Sequence, residues 1–202
     1  MKLAIFGGTG KTGVHVVRKA LDAGHDVTAL VRDPGKMSVQ HERLKVIQGD
    51  AMDADAVEKI IAGSDVVLSV LGQSPVIINN ILAGMKKNNV KRLAVAAGAG
   101  VPDPKDEPQL INHIISFIIK TLSRKVYYDA LEQNEIIRAS DVDWTICRAP
   151  RLVDDPEGAY QVTYVGKEMN SSLSRANYAE FILKQATDRE YVHKAPVLSD
   201  KK

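Results

Sequence analysis

The start of the chain constrains it most. Leu3 to Phe6 is an apolar run, and Gly7-Gly8-Thr9-Gly10-Lys11-Thr12-Gly13 follows at once. An amphipathic stretch then runs from Val14 to Ala23 and stops at Gly24. This order reads as strand, tight turn, helix. Gly7 lets the chain leave the strand sharply, Gly10 lets backbone amides approach a pyrophosphate, and Gly13 lets the helix pack closely on the strand. The unpaired N–H groups and positive dipole end of such a helix suit a phosphate. The stretch also contains Gly10-Lys11-Thr12, which looks like the end of a P-loop. That motif needs a glycine five residues earlier, where Ile5 lies inside the apolar run, so the wrapping loop would be too short. A glycine turn without a ligand is the plain alternative; the strand before it and the helix after it favour a dinucleotide.

The next strand tip chooses the cofactor. Asp26 to Val31 reads as a second strand, followed by Arg32-Asp33-Pro34-Gly35-Lys36. An acid at this tip would bond the ribose 2′-OH of NAD, whereas an arginine accommodates the 2′-phosphate of NADP. Arg32 comes first and its guanidinium fork suits phosphate, so NADP(H) is expected, with NAD(H) as the alternative. The rival role for Arg32 is a solvated loop charge, and Asp33 is placed to cap the next turn. Leu44 to Ile47 reads as a third strand ending in Gln48-Gly49-Asp50, and Asp53 to Ala62 as a helix with Asp53 as its N-cap. Asp50 either lies beside the adenine or closes a turn. Asp65 to Leu71 is a fourth strand, apolar on both faces as parallel sheets require, and Gly72-Gln73-Ser74-Pro75 ends it. Ligands of doubly wound sheets lie outside the carboxyl ends of the strands, which puts Val70, Leu71 and Gly72 where a cofactor would cross.

Val76 to Asn88 follows as a helix and Lys91 to Ala97 as a fifth strand. Gly98-Ala99-Gly100-Val101-Pro102 then presents small residues where an acid or nucleophile would be expected. Gln109 to Ser140 reads as mostly helical, with Ile111, Ile114, Ile115, Ile118 and Ile119 on one face and a break near Ser123 to Lys125. Within it, Phe117 and Tyr127 either line a site or pack in the core. Asp143 to Arg148 is a sixth strand, left by Ala149-Pro150-Arg151-Leu152. Gln161 to Val165 and Ala195 to Leu198 read as short strands around a helix over Arg175 to Thr187. No linker divides the chain. The expectation is one α/β domain over residues 1–202: a Rossmann-type, doubly wound, mainly parallel sheet with helices on both faces and a small C-terminal elaboration on the substrate side.

Composition removes several functions. Lys and Arg number 27 against 25 Asp and Glu, so a formal charge of +2 gives no electrostatic reason to expect nucleic acid or an anionic membrane. The single cysteine, Cys147, allows no intrachain disulfide, and no Cys/His cluster has metal-ligand spacing, so no metal is expected. The longest apolar candidate, Ile114 to Leu122, is interrupted by Ser116 and Lys120, and the N-terminus lacks a signal-peptide layout. A cytoplasmic monomer or small homo-oligomer is expected.

Several motifs together resemble the atypical short-chain dehydrogenase/reductase group. They are Ala4 to Gly13, Val27 to Asp33, Gly49-Asp50, Asp143 to Pro150 and Gly158-Ala159-Tyr160. Within that group the chain is most similar to the NmrA-like, NAD(P)-binding proteins of the NADPH-flavin reductase / biliverdin reductase B type. The resemblance implies NADPH bound across the strand tips and hydride delivered to a flavin or a linear tetrapyrrole. It implies that Gly7, Gly10, Lys11, Thr12 and Gly13 carry the phosphates, Arg32 the 2′-phosphate, and Leu71 and Gly72 the middle of the cofactor. The chain departs from it on the substrate side. Carbonyl-reducing relatives use Tyr-x-x-x-Lys, but here Leu131 follows Tyr127 and Glu132 follows Tyr128 at that spacing. The family's serine after the fifth strand and histidine after the sixth are matched by Gly98 and Arg151. Glycine has no acidic group and arginine is always protonated, so reactions needing proton delivery are disfavoured while flavin reduction stands. The resulting expectation is an NADPH-dependent reductase of free flavins or similar conjugated acceptors, the flavin being substrate rather than bound cofactor. The alternative is a non-catalytic NADP(H)-binding redox sensor of the NmrA-like type.

Overall fold

The computed structural model describes residues 1–107, 121 and 123–201. The expected helical face at Ile111 to Ile119, and Phe117 with it, lies outside the described residues. The chain opens with β1 (Lys2–Phe6), α1 (Lys11–Asp22), β2 (Asp26–Val31) and β3 (Leu44–Gln48). It continues with α2 (Ala54–Ile61), β4 (Val66–Ser69), α3 (Pro75–Lys87) and β5 (Arg92–Gly98). After α4 (Arg124–Ala139) come β6 (Asp143–Ala149), β7 (Arg151–Val153), β8 (Tyr160–Thr163), β9 (Ser172–Ser174), α5 (Arg175–Lys184) and β10 (Val197–Asp200).

The main sheet has the order β3-β2-β1-β4-β5-β6-β10-β8. Its pairings are parallel except for β8, which runs antiparallel to β10 at the edge. The order reverses direction between β1 and β4, the switch point where doubly wound sheets leave a crevice. Alternation along β1 explains the layers: Ala4 and Phe6 join α2, α3 and α4 residues such as Ile60, Ile81 and Ile137 on one face. Leu3 and Ile5 join Val17 and Leu21 of α1 and Phe181 and Ile182 of α5 on the other. Both faces are thus covered, and the expected α/β doubly wound architecture is the one found.

The differences lie in the last third. β7 and β9 pair in parallel as a separate two-stranded sheet that the sequence reading missed, because three residues each carry no periodicity. The expected Gln161–Val165 strand forms one residue earlier as β8, and the last strand starts at Val197 rather than Ala195. The segment after β5 is anchored from below. Arg148, fully buried in β6, makes a two-pronged ion pair with Asp106 at 2.7 Å per arm and donates to the carbonyls of Val101 and Ala195. Arg138 holds Asp103 in the same segment at 2.5 Å. A buried guanidinium is tolerated only when paired and hydrogen-bonded in this way.

Candidate functional site

The glycine turn after β1 is shaped by contact rather than by sequence habit. Gly7 has φ +83°, and a Cβ there would stand 2.8 Å from the Val70 carbonyl oxygen of the neighbouring strand end. A Cβ on Gly13 would lie 2.0 Å from the Gly7 oxygen, so the first turn of α1 presses directly on the loop. Gly10 is the N-cap of α1 and no side chain caps the helix. The first backbone N–H groups of α1 therefore face outward without an intrahelical acceptor, an arrangement suited to a phosphate.

Two cavities lie along the carboxyl ends of the strands. The larger, about 470 Å³, is lined by Gly7, Thr9 and Gly10, by Arg32 at the tip of β2, by Asp50 and Met52 after β3, and by the segment Val70–Ser74 after β4. The smaller, about 230 Å³, is lined by Thr12, Ala96 to Gly98, Ala149, Pro150, Leu152 and Tyr178. Val70, Leu71, Gly72 and Gln73 line both, so the two form one trough with a common wall at the switch point.

The expected cofactor residues are distributed along this trough. Gly7, Gly10, Arg32, Asp50, Leu71 and Gly72 border the larger cavity, and Thr12 borders the smaller. Gly13 acts one layer behind through its contact with Gly7. Lys11, exposed at the start of α1, lines neither. Arg32 is exposed, while Asp33 caps the turn over Pro34–Lys36 by accepting from the Gly35 N–H at 3.0 Å. Asp50 spends one carboxylate oxygen on the Met52 N–H at 2.9 Å, so it closes a turn and also borders the cavity. Of the two substrate-side candidates, Gly98 lines the smaller cavity and Arg151 does not; its neighbours Pro150 and Leu152 do, because side chains alternate along β7. Tyr127 lines neither cavity and stacks edge-on against Tyr128.

The chemistry of the smaller cavity is narrow. Among its described lining residues the polar side chains are Thr12, Gln73 and Tyr178. The Tyr178 hydroxyl is committed: it accepts from the Ala97 N–H at 3.0 Å and donates to the Cys147 carbonyl at 2.6 Å. Burial raises its pKa well above the usual phenol value and pushes Cys147 up to about 12, so neither titrates near neutrality. Sequence reasoning overlooked Gln73 and Tyr178. Tyr178 looked like a core residue of α5, and only the packing of α5 under β5 and β6 brings its hydroxyl to the site. Gln73 carried no motif.

The residues present fit a dinucleotide. At Gly72 and Gly98 a Cβ would meet no atom of the described residues within 4 Å, and both glycines line the trough. Together with the uncapped N-terminus of α1, this leaves a long, glycine-walled channel with cationic Arg32 near one end.

Comparisons with known proteins agree with this geometry. Over 102 residues the chain is 36% identical to the isoflavone reductase homolog IRL of Zea mays, covering 45% of this chain and 33% of that relative. The chain thus spans about a third of the length of that protein. Among solved structures it matches a short-chain dehydrogenase/reductase of Veillonella parvula in complex with NADP, with TM-score 0.80, 18% identity and coverage of 98% and 94% of the two chains. It also matches the anaerobillin reductase ChuY of Escherichia coli O157:H7, with TM-score 0.82, 19% identity and coverage of 100% and 98%. At these identities the structural matches speak for the fold. The family model described as NAD(P)H-binding matches residues 7–189, nearly the whole domain, and the chain belongs to this NAD(P)H-binding family.

Proposed function

We propose that the protein is an NADPH-dependent oxidoreductase that reduces flat conjugated acceptors, free flavins foremost, by direct hydride transfer. The observation that carries this reading is the shared wall of the two cavities at Val70–Gln73. The larger cavity has the phosphate-binding turn and Arg32, which suit the adenosine and pyrophosphate half with its 2′-phosphate. The smaller one has room for a ring beside the wall. When bound, NADPH supplies the hydride. The chain's own part is placement: Gly98 and Gly72 leave flat space, and Ala97, Pro150 and Leu152 keep it apolar. Proximity and orientation alone contribute up to roughly 7–11 kcal/mol in favourable cases. A hydride carries both electrons to the acceptor, and the reduced flavin takes its remaining proton from solvent. That matches a cavity whose described side chains include no group ready to donate one. The reductase names among the relatives support the same class of reaction.

A non-catalytic NADP(H) sensor is the rival reading, favoured by the same lack of an acid. Mixing the protein with NADPH and FMN and following the nicotinamide absorbance separates the two. Oxidation faster than the protein-free blank is expected. NADPH binding without such oxidation would overturn the reductase reading in favour of the sensor.

A further inference from the structure

Gln73 stands where the two cavities meet and lines both. Its backbone position is fixed from behind: the next residue, Ser74, donates its N–H to the buried Gln133 side chain of α4 at 2.8 Å and caps α3 with its hydroxyl, which accepts from the Ile77 N–H. The Gln73 side chain itself makes one long bond, from Nε2 to the Ala96 carbonyl at 3.4 Å. A carboxamide has two N–H donors and an oxygen with two lone pairs. Among the described residues, one N–H and the whole of Oε1 therefore have no partner, at the edge of the smaller cavity. Around it, Val70, Leu71, Ala96, Ala97, Pro150 and Leu152 are apolar, Tyr178 has its hydroxyl committed to backbone, and among the described lining residues only Thr12 offers another polar side chain.

We propose that Gln73 is the specificity-determining residue for the acceptor, selecting rings with a lactam or imide edge through paired hydrogen bonds from its carboxamide. An N–H beside a C=O on a flat ring presents one donor and one acceptor side by side. A primary amide answers both, whereas a quinone, with carbonyls alone, uses half of it. Gln73 is half-buried, and leaving its amide half-paired beneath a bound ring is costly, which is how such a group discriminates. The class so defined includes flavins and excludes simple quinones as preferred acceptors. The inference rests on reading the smaller cavity as the acceptor site.

The test uses binding as well as turnover. Lumiflavin and its N3-methyl derivative differ only in the imide N–H. Quenching of flavin fluorescence would be titrated with the full-length protein saturated with NADP⁺. Wild type is expected to bind lumiflavin about tenfold more tightly than the methylated ring, the scale of one or two hydrogen bonds. Gln73→Leu is expected to lose that preference while keeping its affinity for NADPH; Gln73→Glu, which keeps an acceptor for the imide N–H but removes the donors to the ring carbonyl, is expected to keep the preference while binding both rings more weakly. Equal affinity of wild type for the two rings, or a preference retained in Gln73→Leu, would overturn the proposal. So would a loss confined to NADPH affinity, which would place Gln73 on the nicotinamide instead. Discrimination without NADPH oxidation would uphold this inference and sink the reductase reading; oxidation without discrimination would do the reverse.

Discussion

At the scale of single residues, two positions divide the account between cofactor and acceptor. Arg32 is exposed at the β2 tip and borders the larger cavity. If it holds the 2′-phosphate, Arg32→Ala should weaken NADPH binding about tenfold or more, as loss of a charged hydrogen bond does, and leave NADH binding nearly unchanged. An unchanged ratio of the two affinities by calorimetry would place the phosphate elsewhere. Gly98 gives the complementary case. A Cβ there would meet no atom of the described residues within 4 Å, so Gly98→Val should fold with near wild-type stability and bind NADPH normally. Its branched side chain would occupy the smaller cavity, and turnover of FMN should fall with a raised KM. Unaltered kinetics would mean that the acceptor lies outside that cavity.

At the scale of elements, α5 carries both a tie to the site and a pH-sensitive contact. Tyr178 bonds the carboxyl ends of β5 and β6 and does no proton chemistry here. Tyr178→Phe should cost about 1–3 kcal/mol by stranding the Ala97 N–H, yet leave the pH profile of turnover as it was. A lost limb in that profile would make the phenol an acid after all. Two residues after Tyr178 in the same helix, Glu180 faces Glu157 of the segment after β7, with Lys19 of α1 and Tyr160 of β8 alongside and Lys184 on its own helix. Burial first, and then Glu157, raise the pKa of Glu180, while the Lys19 ion pair at 2.6 Å lowers that of Glu157. A raised folded pKa means that protonated Glu180 adds stability, and that this is lost as pH rises through the raised value, above the ordinary 4.5. Glu180→Gln keeps the neutral form. In urea unfolding across pH it should match wild type in acid and exceed it above that window; parallel curves would show that the contact is inert.

At the scale of the whole molecule, the cofactor half was legible in the sequence, and of the smaller cavity little more than Gly98 was. The turn from Gly7 to Gly13 was legible because its glycines answer to local contacts with β1, α1 and the end of β4. The parallel strands β1, β4 and β5 were legible because burial on both faces makes them nearly continuous apolar runs. The rest of the smaller cavity was not, since it is assembled over long separations: Thr12 from α1, Gln73 after β4, Leu152 from β7 and Tyr178 from α5. No spacing rule connects those numbers, and β7 itself, at three residues, has no pattern to read. Arg151 illustrates the loss: alignment by motif put it on the substrate side, and strand alternation turned its neighbours to the cavity instead.

The shared wall of the two cavities is also what the central claim depends on, because direct transfer requires the nicotinamide and the acceptor ring to meet there. Anaerobic FMN reduction with the two C4-deuterated diastereomers of NADPH measures this most directly. A protein that holds both rings across Val70–Gln73 should slow with one diastereomer only and leave NADP⁺ that has lost its deuterium from that diastereomer and kept it from the other. Equal rates with both, no faster than the protein-free reaction, would contradict the account.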